Sequence, residues 1–351
     1  AVQDVAIDAL AVDTLAESER GVANGLMFAG ASAGSAFGGT GALWMYKAGG
    51  FSGATLLVAS GLLLVLTTVS ISLRERPTPN RDDTGSVRPI RSELTAYLRT
   101  AGRAFFGSRT GRLGVVFALL PAGAYALSLP LQSNLAVELG MSLDEIGWLN
   151  LATTLTFALL CVTGGFVSDR IGRRRSLAIF IALTTIPTVL FAVLLWKAGW
   201  VMPIENPKAP DRPMPPDWLV TAFWAASILF NIANGLMYGT RSAFYMDFCD
   251  PKVAATQFTA YMALMNLVIS YTSFWQGWSI KTLGYPTTLV LDAAFGLVCL
   301  AVLAAVPFVR RPDRAAVPEA ATEGRCPVCG ADVSAEDAVC RKCGERLRAE
   351  S

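Results

Sequence analysis

The chain contains no histidine. Within these residues that absence removes the commonest general base near neutral pH, the Ser-His-Asp arrangement and imidazole metal ligation, so the chain does not read as an enzyme. Charge is scarce too. Asp, Glu, Lys and Arg make up 16% of the residues against 53% hydrophobic ones, where a soluble domain carries about a quarter charged. Mean hydropathy is +0.46. The net charge is +2, and the arginines gather at the ends of apolar runs rather than along one soluble face, which argues against nucleic acid as a partner.

What is present is a series of apolar stretches, each about the 20 residues needed to cross a bilayer. They run over 21–46, 52–73, 112–137, 145–168, 176–198, 218–247, 254–280 and 286–309, and 1–15 reads as the end of a further span. The lipid bilayer is therefore the expected environment. Arg74, Arg76, Arg81, Arg88, Arg91, Arg99, Arg103, Arg109 and Arg112 share one segment between spans. Asp169–Arg175 follows two spans later, and Arg310, Arg311 and Arg314 four spans after that. All three basic sites fall on one side, which the positive-inside rule makes cytoplasmic. The expectation is a multi-pass protein of the cytoplasmic (inner) membrane with a cytoplasmic tail.

An internal repeat runs through the chain. Trp44-Met-Tyr-Lys47-Ala-Gly-Gly50-Phe51 matches Trp278-Ser-Ile-Lys281-Thr-Leu-Gly284-Tyr285 at an offset of 234, which also aligns Ala9 with Ala243 and Asp13 with Asp247. Three spans, 112–198, precede the second copy. Symmetry then leads us to expect three more spans before Ala1 and a parent of two six-helix halves.

The turn Gly165-Phe-Val-Ser-Asp169-Arg170-Ile-Gly172-Arg173-Arg174-Arg175 lies between two spans. It resembles the loop joining the second and third helices of each half of major facilitator superfamily transporters. Gln3-Asp4-Val-Ala-Ile-Asp8-Ala, Glu19-Arg20-Gly21 and Ala254-Ala-Thr-Gln257-Phe are similar to segments of the muropeptide permeases and their acetyl-CoA-transporter relatives. The resemblance implies an all-α membrane protein of two pseudo-symmetric six-helix bundles, about three helices of the first lying outside this sequence. The expected divisions are the end of the N-terminal bundle (1–77), a cytoplasmic inter-bundle loop (78–111), the C-terminal six-helix bundle (112–311), a linker (312–323) and a small zinc ribbon (324–347). The implied function is secondary active transport of a small-molecule substrate by alternating access.

Polar residues inside the spans mark candidate sites. Asp4 and Asp8 are one helical turn apart, beside Gln3. A carboxylate at membrane depth faces a cavity, pairs with a cation or takes up a proton, so proton coupling is one reading; hydration at the cytoplasmic end is the other. In 218–247, Asn231, Asn234 and Tyr238 form a stripe at i, i+3 and i+7. Arg241 beyond it either binds an anionic group or a partner carboxylate, or snorkels to the interface. The resemblance implies a cytoplasmic gate in which Gly165, Asp169, Arg170, Gly172 and Arg173 act with Asp247, and Asp13 is its first-half counterpart; the other reading is a plain positive-inside anchor. Gly30, Gly34 and Gly38 read as a helix-packing face.

The tail reads separately. Cys326, Cys329, Cys340 and Cys343 form two C-x2-C knuckles, each followed by glycine. Four thiolates at this spacing suit structural Zn2+, which would supply the folding energy of a segment too small for an apolar core. The ribbon suggests a cytoplasmic protein partner. Two other functions stay open: a drug or metabolite exporter of the same fold, and a non-transporting membrane sensor or scaffold whose output is the ribbon.

Overall fold

The computed structural model describes residues 7, 10, 11, 15, 19–72, 90–204, 213–247, 249, 250 and 253–305. Gln3, Asp4, Asp8, Asp13 and the four tail cysteines lie outside the described residues. Among those described, the regular structure is helical: α1 Arg20–Ala36, continued by a π-helical turn Phe37–Gly41, α2 Ala42–Ser72, α3 Ile90–Phe106, α4 Arg109–Leu119, α5 Leu129–Glu138, α6 Leu143–Ile171, α7 Arg173–Lys197, α8 Asp217–Met246, α9 Ala254–Leu283 and α10 Tyr285–Ala305. The chain divides into two units, Ala1–Leu64 with Pro89–Val306, and Val65–Arg88 with Pro307–Ser351. Only the end of α2 is described in the second; the first holds the rest of α2 and every other helix.

Among the described residues, five helices are long and apolar enough to span a membrane: Ala48–Ser72, Asp144–Ile171, Arg173–Lys197, Asp217–Met246 and Tyr285–Ala305. Their outer faces carry large apolar side chains in the open, among them Leu56, Leu62, Ile179, Ile186, Leu190 and Trp196. Lipid, not water, is the solvent that such a surface suits. The 30-residue α9 is less apolar because Gln257, Thr272, Gln276 and Ser279 line its buried face.

Helix limits follow local signals. Ser142 caps α6, accepting from Glu145 N–H at 3.2 Å while the Glu145 carboxylate accepts from Ser142 N–H at 2.7 Å, a reciprocal box. Gly50 (φ 65, ψ −165) interrupts α2, and Gly284 (φ 80, ψ 174) separates α9 from α10. These two glycines, aligned by the repeat, thus turn the chain in nearly the same left-sided conformation, which only glycine adopts without strain.

One expectation changes, and one segment gains a helix. The stretch 112–137 is not one span: α4 stops at Leu119, Leu120–Ser128 is irregular, and α5 starts at Leu129. Pro121 and Gly123 disfavour helix there, and the freed backbone groups find partners on other helices, Gly123 N–H on Gly296 C=O at 3.1 Å and Ala124 N–H on Thr184 Oγ1 at 3.0 Å. The segment expected as inter-bundle loop, 78–111, contains α3, whose end docks on α9 through Gln257 Nε2 donating to Ala104 C=O and an edge-on Phe105–Tyr261 contact.

The buried apolar side chains form two clusters. One holds Leu135, Leu149, Phe191, Phe223, Phe230 and Leu289; the other holds Phe117, Ile181, Met237, Phe244, Tyr261 and Cys299. Along each helix the buried polar residues fall between members of the two: Thr184 between Ile181 and Phe191, Asn231 and Asn234 between Phe230 and Met237. α1 packs on α6 and α8, α8 also on α6 and α7, and α10 on α7. The α1, α6 and α8 contacts are close because glycines face backbone. A Cβ added to Gly25 would lie 2.4 Å from Cys161 O, and one on Gly164 2.4 Å from Leu236 O. Gly30, Gly34 and Gly38 face no described atom within 4 Å.

Candidate functional site

Asp169 lies in the last turn of α6, and Gly172 (φ 104) turns the chain so that Arg173 opens α7. The Asp169 carboxylate accepts from the N–H groups of Gly21 and Val22, at 3.3 and 3.1 Å. It thereby caps α1, whose own N-cap residue Glu19 makes no side-chain cap. Arg173 bridges Asp169 at 3.0 Å and Asp247 at 2.6 Å, and Arg20 reaches Asp247 at 3.1 Å. Two cations and two carboxylates thus close one end, tying α1 to α6, α7 and the end of α8. Gly165 makes this possible: a Cβ there would sit 2.0 Å from Gly21 O.

Of the residues singled out for this cluster, the structure brings Asp169, Arg173 and Asp247 together, with Gly165 and Gly172 beside them. Arg170 is apart, exposed, with its guanidinium 3.9 Å over the Phe166 ring. Arg20 was missed as a member, although a lone basic residue opening a span was visible in Glu19-Arg20-Gly21.

Toward the other end lies a cavity of about 390 Å3, lined from α1 by Phe28, Ser32 and Ser35 and from α5, α6 and α8 mainly by Gln132, Asn150, Thr153, Phe157 and Asn231. Its lining mixes hydroxyl and amide side chains with two aromatic walls and more apolar than polar surface. Those two rings hold Tyr238 edge-on, Phe28 and Phe157 each with a centroid 5.4 Å from it. Beneath Tyr238 sits Arg241, 4.7 Å from the ring centroid and 2% exposed. It is thus buried and does not snorkel. Asn231 and Asn234 are also buried, on the face that leads to Tyr238.

Arg241 Nη1 donates to the Tyr125 hydroxyl at 3.1 Å. Tyr125 belongs to the irregular segment between α4 and α5, and its backbone is held in turn. Asp292 Oδ2 accepts from Tyr125 N–H at 2.7 Å and Ala126 N–H at 2.8 Å, while Oδ1 accepts from Gln276 Nε2 at 2.8 Å. Sequence reasoning missed Tyr125, Gln276 and Asp292. For Asp292 the signal existed, an acid inside the apolar run 286–309; for Tyr125 it was Pro121 and Gly123 inside a span.

A helical molecule with apolar outer faces on its long helices, closed by ion pairs at one end and holding a cavity toward the other, is built as a multi-pass membrane protein. The sequence profile of the Major Facilitator Superfamily matches residues 113–337, and the chain belongs to that superfamily. It is also 32% identical over 124 residues to the uncharacterised MFS-type transporter EfpA of Mycobacterium tuberculosis, in strains CDC 1551 and H37Rv alike. That match covers 33% of this chain and 23% of the relatives' length.

Proposed function

We propose that the protein carries a small solute across the cytoplasmic membrane by alternating access, with α1 rocking against α6 and α8. The observation that supports this reading best is the pairing of a closed charge cluster at one end with a cavity toward the other, both involving α1, α6 and α8. Breaking the Asp169–Arg173–Asp247–Arg20 cluster would release that end, and collapse around Phe28, Tyr238 and Phe157 would seal the cavity. The cluster faces the cytoplasm on the arginine count. Proton coupling through Asp4 or Asp8 belongs to the same proposal, as does the narrower likeness to muropeptide permeases. The test is uptake into proteoliposomes under an imposed pH gradient. Wild type accumulates solute, and Asp4→Asn or Asp8→Asn binds solute without accumulating it. Gradient-driven accumulation retained in both variants removes the coupling, and absence of any flux removes the transport reading.

The tail is proposed to hold one structural Zn2+ on Cys326, Cys329, Cys340 and Cys343, supported by the donor set and spacing, and to offer a cytoplasmic partner its surface. Elemental analysis of the purified chain should find about one zinc per molecule, lost when Cys326 and Cys329 become serine.

A further inference from the structure

We infer that the Arg241 guanidinium receives an anionic group of the transported solute, a carboxylate or a phosphate. This rests on the transport reading above and names its substrate class.

Arg241 is a permanently charged side chain buried to 2% exposure, on a helix that runs through the molecule. Its Nη1 donates to the neutral Tyr125 hydroxyl, with the neutral Tyr238 side chain also beside the guanidinium, while Nε and Nη2 are buried with no hydrogen-bond partner. A buried guanidinium normally has a carboxylate, as Arg173 has here in Asp169 and Asp247. Among the described residues no acid forms an ion pair with Arg241. The acid on the neighbouring α10, Asp292, already has its two oxygens engaged by Tyr125 N–H, Ala126 N–H and Gln276. The two free donors of Arg241 sit on a planar fork suited to two oxygens of one anion. The Tyr238 ring packs over the guanidinium, which is 2% exposed, and on Tyr238 in turn pack Phe28 and Phe157, both of which line the cavity. A solute in the cavity therefore meets Asn231 first and reaches the charge by displacing Tyr238. An oriented, unpaired, buried cation beyond a vestibule is an anion subsite, and a neutral solute would leave it unmatched.

The experiment uses the full-length protein in proteoliposomes and a labelled panel of lactate, glucose 6-phosphate, glucose and tetraethylammonium, with Arg241→Gln and Arg241→Lys beside wild type. Uptake is expected for the carboxylate or the phosphate and not for the other two. Arg241→Gln should lower kcat/KM on the order of 100-fold, and Arg241→Lys about tenfold through KM, since a point charge replaces the fork. If Arg241→Gln does not fold, the KM of Arg241→Lys decides, and an unchanged value overturns the inference. Uptake of glucose or tetraethylammonium that Arg241→Gln leaves unaltered also overturns it, while the transport reading stands. If nothing is moved, the transport reading fails, and binding of lactate and inorganic phosphate by thermal shift decides: stabilisation that Arg241→Gln abolishes supports the subsite, and its absence overturns it. An internal counter-charge is the remaining rival. If Asp4→Asn or Asp8→Asn restores the stability lost in Arg241→Gln, the partner is that carboxylate and the inference falls.

Discussion

Asp292 shows how one side chain maintains an interruption in a membrane helix. Three N–H donors converge on its two oxygens, two of them backbone groups of Tyr125 and Ala126, which the irregular segment would otherwise leave orphaned in an apolar core. Asp292→Ala should cost about 3 kcal/mol or more, since three donors lose their acceptor and each orphaned buried group costs roughly 1–3 kcal/mol, read as a lowered thermal midpoint in detergent. Asp292→Asn keeps a carbonyl oxygen for Tyr125 and Ala126 and should stay within about 1 kcal/mol of wild type; if it falls as far as alanine, the charge rather than the acceptor geometry is what the site requires. Residue-level roles were unevenly legible. Asp169, Arg173 and Asp247 stood out because charges at span ends have few other uses in such a sequence. Tyr125 did not, because its importance comes from a bend that brings it to Arg241, 116 positions away. Gln257 was visible only as part of a motif; the structure gives its work, accepting from Asp250 N–H at 2.7 Å and donating to Tyr261 at 3.0 Å, so that the turn before α9 is fastened to α9 and, through Ala104, to α3.

At the scale of elements, apolar run length located most helices to within a few residues because lipid requires each backbone to satisfy itself within its own helix. Two elements escaped that rule. α4 and α5 together have the length and composition of one span, so the break between them is hidden until tertiary partners are known. α3 was hidden in an arginine-rich segment, although Leu94, Leu98, Ala101 and Phe105 recur at helical spacing. At Gly50 hydropathy and the repeat agree: the apolar runs 21–46 and 52–73 part around it, and its repeat partner Gly284 parts α9 from α10. The contact between α1 and α6 makes a prediction of its own. Gly165→Val forces side-chain atoms into the Gly21 backbone and should displace α1 from the Asp169 carboxylate, at a cost of about 1–3 kcal/mol. Hydrogen exchange should show Gly21 and Val22 amides losing protection while those of α10 keep theirs. Equal protection at Gly21 and Val22 would mean that the helices meet elsewhere.

For the whole molecule, the charge cluster and the cavity lie toward opposite ends of α1, α6 and α8, and in the proposed mechanism the two ends open in turn. Arg20, Arg173 and Asp169 are nearly buried and Asp247 is partly open, so the cluster lies between the ~1 kcal/mol of an exposed pair and the ~3–5 kcal/mol lost when a buried one is broken. Taking about 2 kcal/mol, its loss should shift the balance of the two conformations by roughly 30-fold. The direct measurement is labelling of Asn150→Cys, in the cavity wall, by a membrane-impermeant maleimide applied from the Ser142 side and read by peptide mass spectrometry. The site should be open to the reagent in the otherwise native protein and lose labelling at least several-fold when Asp247→Arg sets a third arginine against Arg20 and Arg173. Labelling that Asp247→Arg leaves unchanged would contradict alternating access through this cavity.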